Sequence, residues 1–294
     1  MSAPRDSLPA VWPSQQRSAR LDMDIPFTKA QAVGNDFLIV EAQDLASAGV
    51  AKNGLPEFSQ NICDRHCGAG ADGVEIVDTP EERAKADASI RLFNSDGSEA
   101  EISGNGTRCV AAYLLERGMQ SPLRIATKAG VKPLRLIERR GVVFQLEMSM
   151  GRPAYRKEPH AFLGNVGLNM GELTILDVGN PQVALLVDNF DFDWRALGRE
   201  IETHERFPNR TNVSFIRVLD RHRIDVRFWE RGAGETLSSG TGSTGAVVAA
   251  IVSGRAESPV TVVTPAGEMR LRWEDEVLLE GPAQLVARGK YFGR

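Results

Sequence analysis

The chain has 294 residues, with 35 Lys+Arg against 39 Asp+Glu for a formal net charge of −4. A hydrophobic content of 42% beside 25% charged residues describes an ordinary folded chain, long enough for two domains with their own cores. The charge balance argues against a nucleic-acid partner, and the longest apolar run, Ala246–Val252, is too short to span a bilayer.

Residues 1–22 carry Pro4, Pro9 and Pro13 among scattered Ser, Gln and Arg, with neither helical nor strand periodicity. They read as a disordered tail, and patterned sequence begins at Met23, which competes with Met1 as the true start. With three cysteines and no secretory signal, the expected compartment is the reducing cytoplasm. Cys63, His66 and Cys67 lie close together, but their spacing matches no four-ligand zinc pattern. That segment reads as structural, and no metal is expected.

The most informative feature is an internal repeat. Ile90–Phe93 alternates like a half-buried strand and is followed by Glu99, by Ser103-Gly-Asn-Gly106, and by a helical period over Cys109, Val110, Tyr113 and Leu114. At a separation of 136, Val226–Trp229, Glu235, Ser239-Gly-Thr-Gly242 and Gly254 repeat this order, with Gly254 falling on Gly118 after the helix end. Val33-Gly34-Asn35 matches Val178-Gly179-Asn180 at 145, and Thr127–Gly130 matches Thr264–Gly267 at 137. Each half reads as strands followed by one helix that starts with Ser-Gly-x-Gly.

A helix start of this kind leaves backbone N–H groups unpaired at the positive end of the helix dipole, where an anion is held well. The serine takes the N-cap position, and the glycines admit close approach of a ligand. Two such starts in a duplicated chain point to a shared site between the halves. A carboxylate resting there would leave a residue from each half on either face of the adjacent carbon, the arrangement needed for two-base epimerisation without a cofactor. Gly240–Gly245 also spells G-x-G-x-x-G, but Cys109 stands where the first copy would need its third glycine. A repeated β-α-β pattern is missing too, so dinucleotide binding is not the reading.

Over nearly all of Met23–Arg294 the chain resembles the diaminopimelate epimerase family. The resemblance is carried by Gly34–Phe37, Asp64–Asp72, Phe93–Ser98, Gly104–Cys109, Gly179–Pro181, His204–Pro208 and Glu230–Thr236. It implies an α/β (α+β) fold of two pseudo-symmetric domains, each a curved β-sheet wrapped around a central helix, with the active site in the cleft between them. The expected division is 23–147 plus 281–294 for one domain and 148–280 for the other. Asn35, Asn94, Asn180 and Asn212 match residues gripping the polar ends of the substrate. Gly104-Asn105 and Gly240-Thr241 match its carboxylate-binding turns, and Glu230 and Arg231 an acid–base pair in the same cleft. The resemblance also implies a small amino-acid substrate, no cofactor or metal, and a homodimer.

The departure lies in the bases. The family's two catalytic cysteines fall on Ser103 and Ser239, and the histidine of its G-N-P-H motif on Gln182. A thiol ionises readily at a helix start, whereas a serine hydroxyl needs a neighbouring base. Loss of the histidine together with both thiols favours natural divergence over a laboratory change. Cys109, well inside the helix, reads as packing. Glu99 and Glu235 either act as bases or bind N–H groups near a helix start. Three functions stay open: an epimerase of LL-diaminopimelate with Ser103 and Ser239 as bases, another isomerase or lyase using Glu99, Glu230 or Glu235, and a binder of a diamino diacid without catalysis.

Overall fold

In a computed structural model the chain is described over residues 24–82, 84–159 and 172–293, so the tail expected over 1–22 lies outside the described residues. The helices are α1 (Ala42–Ser47), α2 (Leu55–Cys63), α3 (Gly104–Glu116), α4 (Trp194–Glu202) and α5 (Gly240–Val252). Small residues make α3 and α5 central. Gly104–Leu115 and Gly240–Ala250 are buried without interruption, which a helix rich in Gly, Ala, Ser and Thr tolerates because strands approach it from every side.

Two rings of strand surround them. The first runs through Asp24–Ala32, Asn35–Glu41, Gly73–Asp78, Ala88–Asn94, Leu123–Thr127, Gly130–Arg140 and Val143–Gly151, and closes through the long strand Val277–Phe292. The second runs through Ala154–Pro159, Glu172–Asp177, Pro181–Leu186, Asn212–Asp220, Arg223–Glu230, Val260–Thr264 and Gly267–Trp273, and reaches the start of the same long strand. The fold is therefore α/β, with two pseudo-symmetric halves, each a curved sheet about a central helix.

The register repeats with the sequence. Phe37 pairs with Gly73 in parallel in the first half, as Gln182 pairs with Asn212 in the second. Ala88 pairs with Ile125 as Ile224 pairs with Val262. The repeated hairpin is built alike in both copies, the hydroxyl of Thr127 donating to Gly130 O and that of Thr264 to Gly267 O, each at 2.8 Å.

These parallel pairs correct the sequence reading that a repeated β-α-β arrangement was missing. α1 and α2 cross over in the first half and α4 in the second, while α3 and α5 make the inner crossovers. The outer helices are too short for a sustained period, and the inner ones, buried all round, show no polar stripe. One core includes residues of both central helices, and two satellite cores lie under α2 and α4. Among the described residues no helix is long and apolar enough to cross a membrane.

Candidate active site

Both serines take the N-cap position in extended backbone. Ser103 Oγ accepts from Gly106 N at 3.1 Å and Ser239 Oγ from Gly242 N at 3.0 Å. The two helix starts meet. A Cβ on Gly104 would come within 3.1 Å of Gly240 Cα, and one on Gly240 within 2.9 Å of Gly104 Cα. Two positive helix ends thus converge on one small volume, which favours an anion there.

That volume is a cavity of about 130 Å³ between the halves, lined by the two serines in the base positions and the ten residues expected to bind substrate: Asn35, Asn94, Ser103, Gly104, Asn105, Asn180, Asn212, Glu230, Arg231, Ser239, Gly240 and Thr241. A larger hollow of about 700 Å³ lies outside the first ring against α1, lined by residues such as Gln43, Lys52 and Pro80, and holds none of them.

Several of the twelve are themselves held. Asn105 is 1% exposed; its Nδ2 reaches Asn35 Oδ1 at 3.3 Å and Ser238 Oγ at 3.1 Å, and its Oδ1 accepts from Arg108 Nη2 at 2.7 Å. It therefore ties the halves together from beneath the cavity. Asn35 in turn donates to Asp72 Oδ2 at 2.8 Å. Asn94 donates to Ser98 Oγ at 3.0 Å. Asn212 accepts from Arg231 N and donates to Pro181 O, so both ends of its amide position backbone. Buried Gln182 donates to Asn180 Oδ1 at 2.8 Å, which turns Asn180 Nδ2 toward Thr241 Oγ1 at 3.4 Å.

Arg231 spans the cleft. Its guanidinium pairs with the carboxylate of Glu101 from the other half and also donates to Asn209 O at 3.3 Å. Burial raises the Glu230 carboxyl above the ordinary carboxylate range; the neighbouring hydroxyls of Ser239 and Thr236 pull the other way, and the negative Asp72 adds to the rise. Glu230 is thus a carboxyl beside Ser239 whose proton affinity lies closer to neutrality than that of a free glutamate.

Glu99 and Glu235 do not bind N–H groups at a helix start. Glu99 pairs with Arg91 at 2.8 Å and Lys128 at 3.7 Å, and Glu235 holds Arg195 through both oxygens. Glu235 nonetheless lines the cavity, whereas Glu99 is not among its lining residues. Cys109 is fully buried, and burial raises its thiol well above the usual range, which agrees with packing. In the Cys63–Cys67 segment, Asp64 accepts from His66 N and Cys67 N while Arg65 bridges Asp36 and Asp72. The sequence reading assigned no role to Asp72 or Glu101. Both act through partners distant in the chain, and spacing carries no signal for that.

The fold and the paired helix starts define the class, an epimerase-like isomerase made of two related halves. The sequence pattern described as diaminopimelate epimerase matches residues 27–155 and 174–286. The diaminopimelate epimerase of Pelotomaculum thermopropionicum is 41% identical over 281 residues, covering 90% of this chain and 98% of that protein. That of Ectopseudomonas mendocina is 39% identical over 283 residues, covering 91% and 99%. The chain belongs to the diaminopimelate epimerase family. Its fold is similar to that of a hydroxyproline epimerase from Agrobacterium vitis solved with trans-4-hydroxy-L-proline, at a TM-score of 0.68 and 15% identity over 93% of this chain and 92% of that one. A phenazine biosynthesis protein of the PhzF family from Bacillus anthracis gives 0.66 at 18% identity, over 91% and 98%.

Proposed function

We propose that the protein converts LL-diaminopimelate to the meso isomer without a cofactor, with Ser103 and Ser239 in the two base positions. The observation that carries this reading is the meeting of the two serine-capped helix starts in one cavity with the asparagines and Glu230. The substrate carboxylate would rest on the helix starts, which stabilise the negative charge that develops when the α-proton leaves. At one face a serine oxygen takes the α-proton while its own proton passes to a carboxylate. At the other face the opposite serine delivers a proton to the carbon. Glu230 beside Ser239 supplies the neighbouring base a hydroxyl requires. The same reading places the protein in the cytoplasm, on its three cysteines, and as a homodimer, on family resemblance.

A second reading, binding of the diamino diacid without turnover, is favoured by one observation. Among the described residues the hydrogen bond of Ser103 Oγ is to Gly106 N–H, with no side chain as its partner. Proton NMR with LL-diaminopimelate in D₂O separates the two. Loss of the α-proton signal with growth of the meso isomer supports the epimerase. An unchanged spectrum with ligand-dependent thermal stabilisation supports the binder.

A further inference from the structure

Glu75 lies in the strand Gly73–Asp78 among the buried apolar residues Val74, Ile76 and Val77. It is 0% exposed, and neither of its carboxyl oxygens has a hydrogen-bond partner. A buried carboxyl left alone is costly, so its surroundings show what it is there to meet.

Those surroundings are the first turn of α3. A Cβ built on Gly106 would stand 2.0 Å from Glu75 Oε1 and 3.0 Å from its carboxyl carbon. Gly106 is the third helical residue, and its N–H is the one donated to Ser103 Oγ. A Cβ there points back toward the helix start, which is how a side chain at this position reaches the N-cap residue in a capping box. In the second half the corresponding Cβ, on Gly242, would lie 3.0 Å from Ser239 Cβ, and the rest of that space is filled by the Phe228 ring at 2.7 Å. In the first half a carboxyl fills the corresponding space.

We infer that Glu75 is the proton-holding partner of Ser103, a positioning residue that acts through this hydroxyl as Glu230 acts through Ser239. The inference rests on the epimerase reading for its role in turnover, while the placement of Glu75 against Gly106, in the turn that Ser103 caps, stands on the packing. The two carboxyls come from different strands. The strand position equivalent to Glu75 is Ser214, which donates to Gly242 O, and Glu230 ends the neighbouring strand Arg223–Glu230. Burial raises Glu75 to about 8, so that near neutrality it serves as a proton source. When Ser103 delivers its proton to the substrate carbanion, the Ser103 O–H bond breaks and a C–H bond forms. The Glu75 proton restores the hydroxyl and leaves a carboxylate. In the reverse direction Glu75 takes the hydroxyl proton as Ser103 Oγ takes the α-proton.

The test combines infrared spectroscopy with kinetics. The protonated carboxyl band that Glu75→Gln removes is assigned to Glu75, and Ser103→Ala should shift it. A band that stays in place overturns the inference whatever the activity. With LL-diaminopimelate, Glu75→Gln and Glu75→Leu should lower turnover about 100-fold with KM within about threefold. Ser103→Cys placed in the Glu75→Gln chain should restore turnover, because a thiolate needs no carboxyl partner. Full turnover in both Glu75 variants, or loss that Ser103→Cys does not relieve, overturns the catalytic role. If the unaltered protein neither exchanges nor inverts the substrate while Ser103→Ala moves the band, the epimerase reading falls and the pairing holds.

Discussion

Gly104 and Gly240, the first residues of the two central helices, meet across the pseudo-symmetric boundary so closely that a side chain on Gly240 has no room and one on Gly104 is crowded. This contact brings the two N-caps into one cavity. It also explains why the glycine after each serine is retained in both repeats, since backbone approaches backbone there and cannot yield as a long side chain would.

Gly240→Ala is expected to destabilise the protein by about 1–3 kcal/mol and to lower turnover further, because its Cβ would lie 2.9 Å from Gly104 Cα. Gly104→Ala, at 3.1 Å, should be the milder change. Urea unfolding and turnover of both variants measure this. Equal, small effects would show that the helix starts separate easily.

Replacing Ser103 and Ser239 together by cysteine is expected to raise epimerisation at least about tenfold, since a helix start lowers a thiol's pKa into a useful range while a hydroxyl stays protonated. Turnover of the double variant checks this. No gain would mean that the cavity has moved away from its two base positions.

Arg231→Lys keeps the charge and loses the planar fork that engages Glu101 and Asn209 O together. KM for the diamino diacid should rise about tenfold while stability changes by less than about 1 kcal/mol, because the Glu101 pair is partly exposed. An unaltered KM would remove Arg231 from the binding set.

Glu75 makes stability depend on pH in a defined direction. Burial raises its carboxyl to about 8, whereas a glutamate in an unfolded chain titrates near ~4.3. Between these values the folded protein binds a proton that the unfolded chain has released. The contribution is therefore complete below the lower value and lost as pH rises through the upper one, at a slope on the order of 1.4 kcal/mol per pH unit. Urea unfolding at pH 5 and pH 8 should show a smaller loss for Glu75→Leu than for the unaltered protein. Equal losses would mean that Glu75 is solvated or held by a cation.

The repeat was legible because its signals are local. Ser-Gly-x-Gly marks a helix start, and Gly118 and Gly254 each take the left-handed conformation after a helix end, at φ 96° and 71°. The outer helices were not legible. α1 spans only Ala42–Ser47, and α4 shows its apolar residues Trp194, Leu197 and Ile201 over barely two turns. That Glu99 and Glu235 hold Arg91 and Arg195 rather than N–H groups at a helix start was not legible either, since strand pairing and helix docking bring those partners up. Glu75 did leave a signal, a lone charge inside Val74–Val77, though nothing local shows what it faces.

By itself the sequence determined the duplication and the two capped helix starts, because each depends on local backbone chemistry or on a motif written in consecutive residues, and the family resemblance named twelve of the residues that line the cavity. Only the tertiary structure decided that Gly104 touches Gly240, that Glu101 holds Arg231 across the cleft, and that Glu75 lies against the turn carrying Ser103. These contacts arise when the strand rings close around α3 and α5. Ring closure brings together residues far apart in the chain, and no spacing along the chain encodes which of them will meet.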